Sequence, residues 1–433
     1  MLRASPAKLL TLSYVSVMVA GWITLSLPWL RLVDVSVIDS LFMAVSAVST
    51  TGLVTVDPGS TYNWLGQLVL LLLFQLGGVG YMTIGSFSVL AVHERLTTLG
   101  EKVAKAEFAL PKDCEPTEFI RTVLAFTLIC ETLGALALWW IFSSENHPAP
   151  LWSAVFHSVS AFCTAGFSLN SNSFEGFQDH AGLNATLALL SLCGAMGFLI
   201  VWDLWRNLTS RAYHLGFTSK VIIRMTFFFL TVGTLIVLAT ETSLANLPAH
   251  ERLLAAFFQT MSASTTVGFN TVPISSLGTS TLLILLVLMS VGASPSGTGG
   301  GLKTTTCAAL LGLVRSKLKQ RPVIRFFGRK VPNARLHAAT ASAVLFGILL
   351  TLALFLLALT DRDLPLDALL FESVSALGTV GLSTGITAEL SPLGKAAIIV
   401  LMTAGRVGVL TFGLALAMHE ESDEEREDNE LLL

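Results

Sequence analysis

The stretch FESVSALGTVGL at residues 371–382 occurs in four variants along the chain. The others are FMAVSAVSTTGL at 42–53, FHSVSAFCTAGF at 156–167 and FQTMSASTTVGF at 258–269. All four fit F-x-x-[VM]-S-A-x-x-T-x-G-[LF], and their glycines are 114, 102 and 113 residues apart. Self-similarity at a long period indicates an internal repeat, so the sequence predicts four copies of one structural unit.

The composition places these units in a membrane. Of 433 residues, 53% are hydrophobic and 13% are charged, whereas about 25% are charged in typical soluble domains. Apolar runs of about 20 residues are long enough to cross a bilayer as helices. We therefore predict an all-α polytopic membrane protein with eight transmembrane helices. They lie at 9–30, 64–92, 118–142, 183–205, 221–239, 281–314 (interrupted), 338–359 and 396–418.

Each motif lies between two of these runs, and its apolar part is too short to span a bilayer. It predicts a re-entrant pore helix and a filter loop. Each unit then has the order helix, pore helix with filter loop, helix (M1–P–M2), and four units surround a pseudo-fourfold pore. The predicted repeats are 1–93, 94–206, 207–316 and 317–419, followed by an acidic cytoplasmic tail at 420–433.

Lysine and arginine lie mainly on one side of the predicted membrane. With the N-terminus inside, the cytoplasmic cations fall within 3–8, 95–121, 206–224 and 315–335. The opposite side holds Arg31, Arg252, Arg362 and Lys395. The positive-inside rule then predicts that both termini are cytoplasmic.

The T-x-G stretch after each pore helix predicts an ion filter. Glycine adopts positive φ at little cost, and four such stretches around one axis would present carbonyl oxygens in place of a cation's hydration shell, as TVGYG loops do in potassium channels. Close helix packing is the alternative use of small residues, but four copies at one place in the repeat favour a filter. No copy has the second glycine of TVGYG, so one dominant ion site is expected. The predicted filter residues are Thr50, Thr51, Gly52, Thr164, Ala165, Gly166, Thr266, Val267, Gly268, Thr379, Val380 and Gly381.

The second helix of the third unit is interrupted by GASPSGTGGGLKTTT at residues 292–306. Proline and clustered glycines do not fit a continuous helix, and irregular backbone at membrane depth must face a pore or other protein. This stretch predicts an intramembrane loop that gates the pore; the alternative is an ordinary cytoplasmic loop after a short helix. The predicted gate residues are Gly292, Ser294, Pro295, Gly297, Gly299, Gly300, Gly301, Lys303 and Arg406.

Arg406 follows the first glycine of a G-x-x-G motif in the fourth unit, a motif also found at 77–80 and 194–197. A charged side chain inside a bilayer usually marks function. We expect Arg406 to hydrogen-bond the loop and hold it shut, or to raise a barrier to cations. A structural pair with an acidic residue such as Glu131 is the alternative. Lys303, within the loop, either shares this role or reaches cytoplasmic water.

Residue patterns for covalent chemistry do not stand out. The five cysteines show no metal-binding spacing, and we expect reduced packing residues; His93, His157 and His337 are expected in core or interfacial positions. The sequence therefore predicts no enzyme and no covalently bound cofactor. Its net charge of −3 disfavours a basic nucleic-acid-binding surface.

Four M1–P–M2 units, single-glycine filters and a loop in the third unit resemble the Trk/Ktr/HKT superfamily of potassium transporters. The loop, the length and the eight helices without an added N-terminal pair are most similar to its KtrB-type membrane subunits. The resemblance implies K⁺ uptake, often stimulated by Na⁺, by a homodimer in a bacterial plasma (inner) membrane. It also implies a cytosolic ring of KtrA-type RCK subunits. ATP or ADP would bind to that ring and not to this chain.

Two further functions are compatible with a polytopic protein. An ion-coupled secondary transporter of another small solute would have inverted repeats around a midplane site, whereas these four repeats run in one direction. A membrane enzyme would need a cluster of His, Cys or acidic residues in the bilayer. The acidic tail is either a contact for a basic partner or a solvated segment.

Overall fold

The computed structural model describes residues 6–80, 116–209, 215–321, 323–327 and 329–416. Several sequence predictions lie outside these residues. They concern the end of the second predicted span, the cations at 95–112, Arg3, Arg211, His93, Cys114 and the acidic tail.

The described chain is mainly helical. Its first half contains α1 (Pro6–Leu25), α2 (Val37–Val48), α3 (Pro58–Thr61), α4 (Trp64–Val79), α5 (Pro116–Ser144), α6 (Pro150–Phe162), α7 (Ala181–Ala195) and α8 (Phe198–Thr209). Its second half contains α9 (Phe217–Thr240), α10 (Ala249–Thr265), α11 (Thr279–Ser290), α12 (Thr304–Leu318), β1 (Arg325–Phe326), β2 (Arg329–Lys330), α13 (Asn333–Thr360), α14 (Leu366–Gly378), α15 (Pro392–Val407) and α16 (Val409–Leu416).

Four of the described helices are long and apolar enough to cross a membrane: α1, α5, α9 and α13. The pairs α7–α8 and α15–α16 reach this length together but are bent by 87° and 106°. The helices α4 and α11 are apolar and shorter. A helical, multi-pass membrane protein is thus observed, while the number of eight spans stays a prediction.

Two spans predicted as continuous are broken, which corrects the runs at 183–205 and 396–418. The breaks lie at Gly197 and Gly408, where φ is +89° and +93°. Gly80 at the end of α4 has the same conformation, with φ of +89°. A right-handed helix cannot contain such a residue, so the last glycine of each G-x-x-G motif ends a helix. In the third unit, α11 ends at Ser290, close to the corresponding level.

Two smaller departures from the predicted elements have simple causes. The first helix ends at Leu25 rather than residue 30, because Pro28 cannot continue an α-helix. The basic linker at 315–335 contains an unpredicted hairpin, in which β1 pairs antiparallel with β2. Phe326 of this hairpin packs against Gly312 of α12, so the hairpin is attached to the helix that follows the glycine-rich loop.

The helices close into a ring. Four short helices carry the repeated motif: α2, α6, α10 and α14. Each of them packs against the second apolar helix of a neighbouring repeat. The contacts are α4 with α6, α7 with α10, α11 with α14, and α15 with α2. The last contact joins the fourth motif region to the first, so the four motif helices surround one centre.

An ion pair stabilises the junction between α15 and α2. Lys395 Nζ lies 2.7 Å from Asp39 Oδ1, and the exposed fractions of the two side chains are 11% and 17%. Burial acts to raise the pKa of Asp39, but hydrogen bonds from Lys395 and Ser36 outweigh it and hold the pKa below its ordinary value. The pair thus links the first repeat to the fourth repeat within the ring.

We expect Asp39→Asn to lower the free energy of unfolding by about 1.5–3 kcal/mol, the usual contribution of a hydrogen bond to a charged group. Thermal unfolding of the purified protein in detergent measures this change. The double variant Asp39→Asn with Lys395→Met is the control, because it leaves no unpaired charge and should regain part of the loss. Equal stability of the wild type and the single variant would contradict this role.

Candidate functional site

The four T-x-G stretches share one backbone conformation. Thr50, Thr164, Thr266 and Thr379 all have positive φ, between +49° and +63°. Their glycines also have positive φ, of +86° at Gly52, +67° at Gly166, +79° at Gly268 and +96° at Gly381. Positive φ is uncommon at threonine, so a conformation repeated four times indicates a specific requirement of the site.

Each stretch is attached to the helix that precedes it. The residue between threonine and glycine donates its N–H to the carbonyl of the motif serine, over 2.8–3.2 Å: Thr51 to Ser46, Ala165 to Ser160, Val267 to Ser262, and Val380 to Ser375. The serine hydroxyls of Ser46 and Ser160 donate to the carbonyls of Leu53 and Phe167. These bonds fix the N–H groups toward the helices and leave the intervening carbonyl oxygens facing the neighbouring stretches.

The glycines and carbonyls form a closed ring. A Cβ built on Gly52 would lie 2.5 Å from the carbonyl oxygen of Ala165, and one on Gly166 would lie 2.4 Å from that of Val267. A Cβ on Gly268 would lie 2.1 Å from the Val380 oxygen, and one on Gly381 would lie 2.2 Å from the Thr51 oxygen. The order first, second, third, fourth, first closes on itself, so the structure brings all twelve T-x-G residues together around one axis.

A cavity of about 390 Å³ lies on one side of the ring, and all four glycines line it. Polar side chains from the segments after the glycines make up much of its wall. They include Asp57, Ser168, Asn170, Glu175, Asn270, Ser383 and Thr387. This side of the ring therefore faces a cavity with many polar side chains in its wall.

The glycine-rich loop lies against the threonines of the ring. Thr50 Oγ1 donates to the carbonyl of Thr298 at 3.2 Å, and Thr164 Oγ1 lies 3.0 Å from Thr298 Oγ1. Thr379 Oγ1 accepts the Gly300 N–H at 2.8 Å. A Cβ on Gly299 would lie 2.0 Å from Thr266 Oγ1. The three residues 298–300 thus contact one threonine from each stretch.

Helix α7 and the start of α8 anchor the loop from the side. The N–H groups of Ser294 and Thr298 donate to the carbonyls of Ala195 and Gly194, and the N–H of Phe198 donates to the carbonyl of Ser296. Most of residues 292–301 are buried. The alternative of an ordinary cytoplasmic loop is therefore wrong. The irregular segment runs from Val291 to Lys303, and α12 begins earlier than the predicted residue 307.

Arg406 joins the loop to the first repeat. Its guanidinium donates from Nη1 to the carbonyl of Thr298 and to Thr50 Oγ1, and from Nη2 to the carbonyl of Gly77. The alternative of an ion pair with an acidic residue such as Glu131 is wrong, because the ion pairs of the described residues do not include Arg406; Glu131 accepts a hydrogen bond from Gln75. Arg406 thus adds a positive charge directly beside the loop and the ring.

Lys303 also bonds the loop rather than extending to water. Its Nζ donates to the carbonyl of Gly299 over 2.7 Å. The remaining predicted gate residues line the same segment. A Cβ on Gly300 would lie 2.5 Å from Thr379 Oγ1, and a Cβ on Gly297 would lie 2.6 Å from the Ala195 oxygen. The loop backbone therefore needs glycine for its close approach to the ring and to α7.

The sequence-based selection missed Thr298, which contacts Thr50, Thr164, Phe162 and Arg406 through its hydroxyl and carbonyl groups. The sequence feature that could have identified Thr298 is a hydroxyl-bearing residue between two glycines, Gly297 and Gly299. Among the described residues, no group of three or more His, Cys, Asp or Glu is arranged to hold a metal ion. His157 is a fully buried core residue bonded to Ser168 and the Leu169 N–H, as expected.

Comparison with known proteins agrees with this architecture. Residues 6–427 match the family described as TrkH, cation transport protein. The chain is 34% identical to the Ktr system potassium uptake protein B of Vibrio alginolyticus, over 96% of this chain and 92% of that protein. It is 31% identical to the protein of the same name from Bacillus subtilis (strain 168), over 99% and 97%.

A solved structure shares the fold. The crystal structure of the potassium transporter TrkH from Vibrio parahaemolyticus matches with a TM-score of 0.73, at 21% identity, over 94% of this chain and 83% of that one. The matched family consists of transport proteins, so the prediction that the chain is not an enzyme is confirmed. The chain belongs to the TrkH family of cation transport proteins.

Proposed function

We propose that this chain is the K⁺-translocating membrane subunit of a bacterial potassium uptake system. The closed ring of four glycines and four carbonyl groups is the observation that carries this proposal. Carbonyl oxygens in a ring replace the water shell of a cation, and the C-terminal ends of α2, α6, α10 and α14, which are the negative ends of the helix dipoles, precede the ring. The close relatives are named for potassium uptake.

The filter consists of the predicted T-x-G residues, with K⁺ bound through backbone carbonyls. Glycine stands at all four positions, which the family resemblance associates with K⁺ over Na⁺. Na⁺ then acts as an activator of uptake. An ion-coupled transporter of another solute is the second candidate, but the ring offers uncharged oxygens for a cation and no described feature favours another solute.

Residues 291–303 form the gate. Because 298–300 contact all four ring threonines, the loop closes the inner end of the filter. Arg406 holds it there through the Thr298 carbonyl and adds a positive charge that opposes cation passage. Opening requires these hydrogen bonds to break, and the helix that follows the loop, α12, carries the basic hairpin through which a partner can act.

The proposed assembly follows the family resemblance. Two copies form a homodimer in the bacterial plasma membrane, with both termini in the cytoplasm, and a KtrA-type RCK ring binds ATP or ADP and controls the gate. The exposed cations of the linker, among them Arg321, Arg325 and Arg329, supply the contact surface. The four repeats have the boundaries given above, and the acidic tail is a further cytoplasmic segment.

Complementation of a potassium-uptake-deficient bacterium at low K⁺ tests the proposal. We expect growth with this chain, improved by Na⁺ and by a co-expressed RCK protein. Failure of the membrane-inserted chain to restore growth in every combination would contradict K⁺ uptake.

Gly268→Ser is expected to reduce K⁺-over-Na⁺ selectivity by about tenfold or more, because a Cβ there meets the Val380 oxygen at 2.1 Å and displaces a carbonyl from the ring, a loss of about 1.4 kcal/mol or more in discrimination. Competition of Na⁺ with K⁺ (or Rb⁺) uptake measures it. Gly176→Ser is the matched control, since a Cβ there meets no atom within 4 Å. Unchanged competition in a folded Gly268→Ser protein would refute the filter assignment.

Deletion of residues 297–301 is expected to raise K⁺ flux in proteoliposomes without any partner protein. The shortened loop cannot contact the ring threonines and so cannot close the filter. Gly347→Ala is the control for a change at a glycine outside the loop. It should leave the flux unchanged, because a Cβ there also meets no atom within 4 Å. Reduced or equal flux from a deletion protein of normal thermal stability would exclude a gate.

Arg406→Ala is expected to raise the flux of the chain alone, by several-fold, and to weaken its response to the partner. The substitution removes the bonds to Thr298 and Thr50 together with the positive charge. Arg406→Lys keeps the positive charge but loses the planar guanidinium that makes several hydrogen bonds at once. It therefore separates the contribution of the charge from that of the hydrogen bonds. Arg206→Ala, which removes a cation lying over the Trp202 ring, is the control. A change in expression alone would contradict this role.

A further inference from the structure

One position of the repeated motif differs chemically in every repeat. The residue after the motif phenylalanine is Met43, His157, Gln259 and Glu372 in the four units. All four side chains are buried, with exposed fractions of 0–1%. Each lies on a motif helix directly behind the segment that follows its glycine, and the fourth repeat alone places an acidic group there.

The three polar members contact the segment that follows the ring glycine. His157 Nε2 accepts the Leu169 N–H at 3.1 Å, and the Gln259 amide oxygen accepts the Thr271 N–H at 2.9 Å. Glu372 accepts hydrogen bonds from Ser383 Oγ and, at 3.1 Å, from Thr387 Oγ1. The position therefore supports the wall of the outer cavity in these repeats.

Two opposing effects act on the charge of Glu372: its complete burial favours the neutral acid, and hydrogen bonds donated to its oxygens favour the carboxylate. Ser383 Oγ accepts the Gly385 N–H at 2.8 Å and so directs its own hydrogen to Glu372. The Thr384 N–H is a third donor to the carboxyl group. Hydrogen bonds donated to the oxygens favour the charged form. These donors all belong to 383–387, and Ser383, Thr384 and Thr387 line the outer cavity beside Gly381.

No ion pair neutralises this group within the described part of the chain. Lys395, a buried lysine of the fourth repeat, pairs with Asp39 instead. A buried charge without a partner is costly. A cation at the outer side of the ring would supply the missing opposite charge, separated from the carboxylate by one layer of hydroxyl groups.

We infer that Glu372 is a positioning and specificity-determining residue for the ion path, which holds the outer wall of the fourth repeat through Ser383 and Thr387 and attracts the permeant cation by its uncompensated negative charge. The inference rests on the proposed function, because it takes the ring to be the K⁺ path. It makes the filter electrostatically asymmetric: one of four similar backbone stretches has an acidic group behind it, and a cation in the ring stabilises the charged form of that group.

Glu372→Gln tests the charge at nearly constant shape. In proteoliposomes, we expect the K⁺ concentration for half-maximal flux to rise about tenfold, which corresponds to about 1.4 kcal/mol, with a much smaller effect on the maximal rate. Adding Gln259→Glu to this variant returns one negative charge to the equivalent position of the third repeat. The double variant should regain part of the K⁺ affinity, which a purely structural role would not produce.

Three results would overturn the inference. One is an unchanged half-saturating concentration in Glu372→Gln. Another is a tenfold rise without any recovery in a well-folded double variant. If Glu372→Gln does not fold, Glu372→Asp retains the charge, and a half-saturating concentration raised about tenfold in this variant would assign the effect to shape. Absence of K⁺ flux in the wild-type chain both with and without an RCK partner, by contrast, would refute the proposed function itself.

Discussion

The contact between each ring glycine and the carbonyl oxygen of the next stretch is the constraint on which the rest of the structure depends. These contacts leave no room for a Cβ at Gly52, Gly166, Gly268 or Gly381. Four backbones at such short range must be held from outside, because their own N–H groups are used in bonds to the motif helices. The packing of each motif helix on a neighbouring apolar helix, and the Asp39–Lys395 pair at the last junction, supply that support.

The same closeness explains how an irregular loop exists at this depth. An unpaired backbone group away from water costs as much as a lost hydrogen bond or more. Hydroxyl groups of the ring threonines, carbonyls at the end of α7 and the side chains of Arg406 and Lys303 together satisfy much of the loop's polar backbone. In the proposed gate, these bonds make the closed state well defined, and water entering the inner pore would replace them in the open state.

Sequence alone predicted the four motifs, their convergence on one axis and the interruption of the third unit, because each leaves a local pattern: a repeated consensus, or proline and glycine in an apolar run. The bends at Gly197 and Gly408 were missed, since a single glycine inside an apolar helix is compatible with a straight span. The hydrogen bond from Arg406 to the loop was expected, and the Thr298 carbonyl accepts it. Its bonds to the first repeat, at Thr50 Oγ1 and the Gly77 carbonyl, lay beyond prediction, because a backbone carbonyl has no sequence signature.

The breaks in the second helices have a mechanical consequence. The helices α7, α11 and α15 all end near the level at which the loop meets the ring, and α8, α12 and α16 begin anew below it. A displacement of α8, α12 or α16 is then expected to change the backbone at Gly197, the loop or Gly408. Little of it is passed to the upper helices, because the helical hydrogen bonds are interrupted at these points. The described second helices thus have an upper part that packs around the ring and a lower part that is attached through a bend or through the loop. In the proposed mechanism, the lower helices would move while the carbonyl ring above them keeps its geometry.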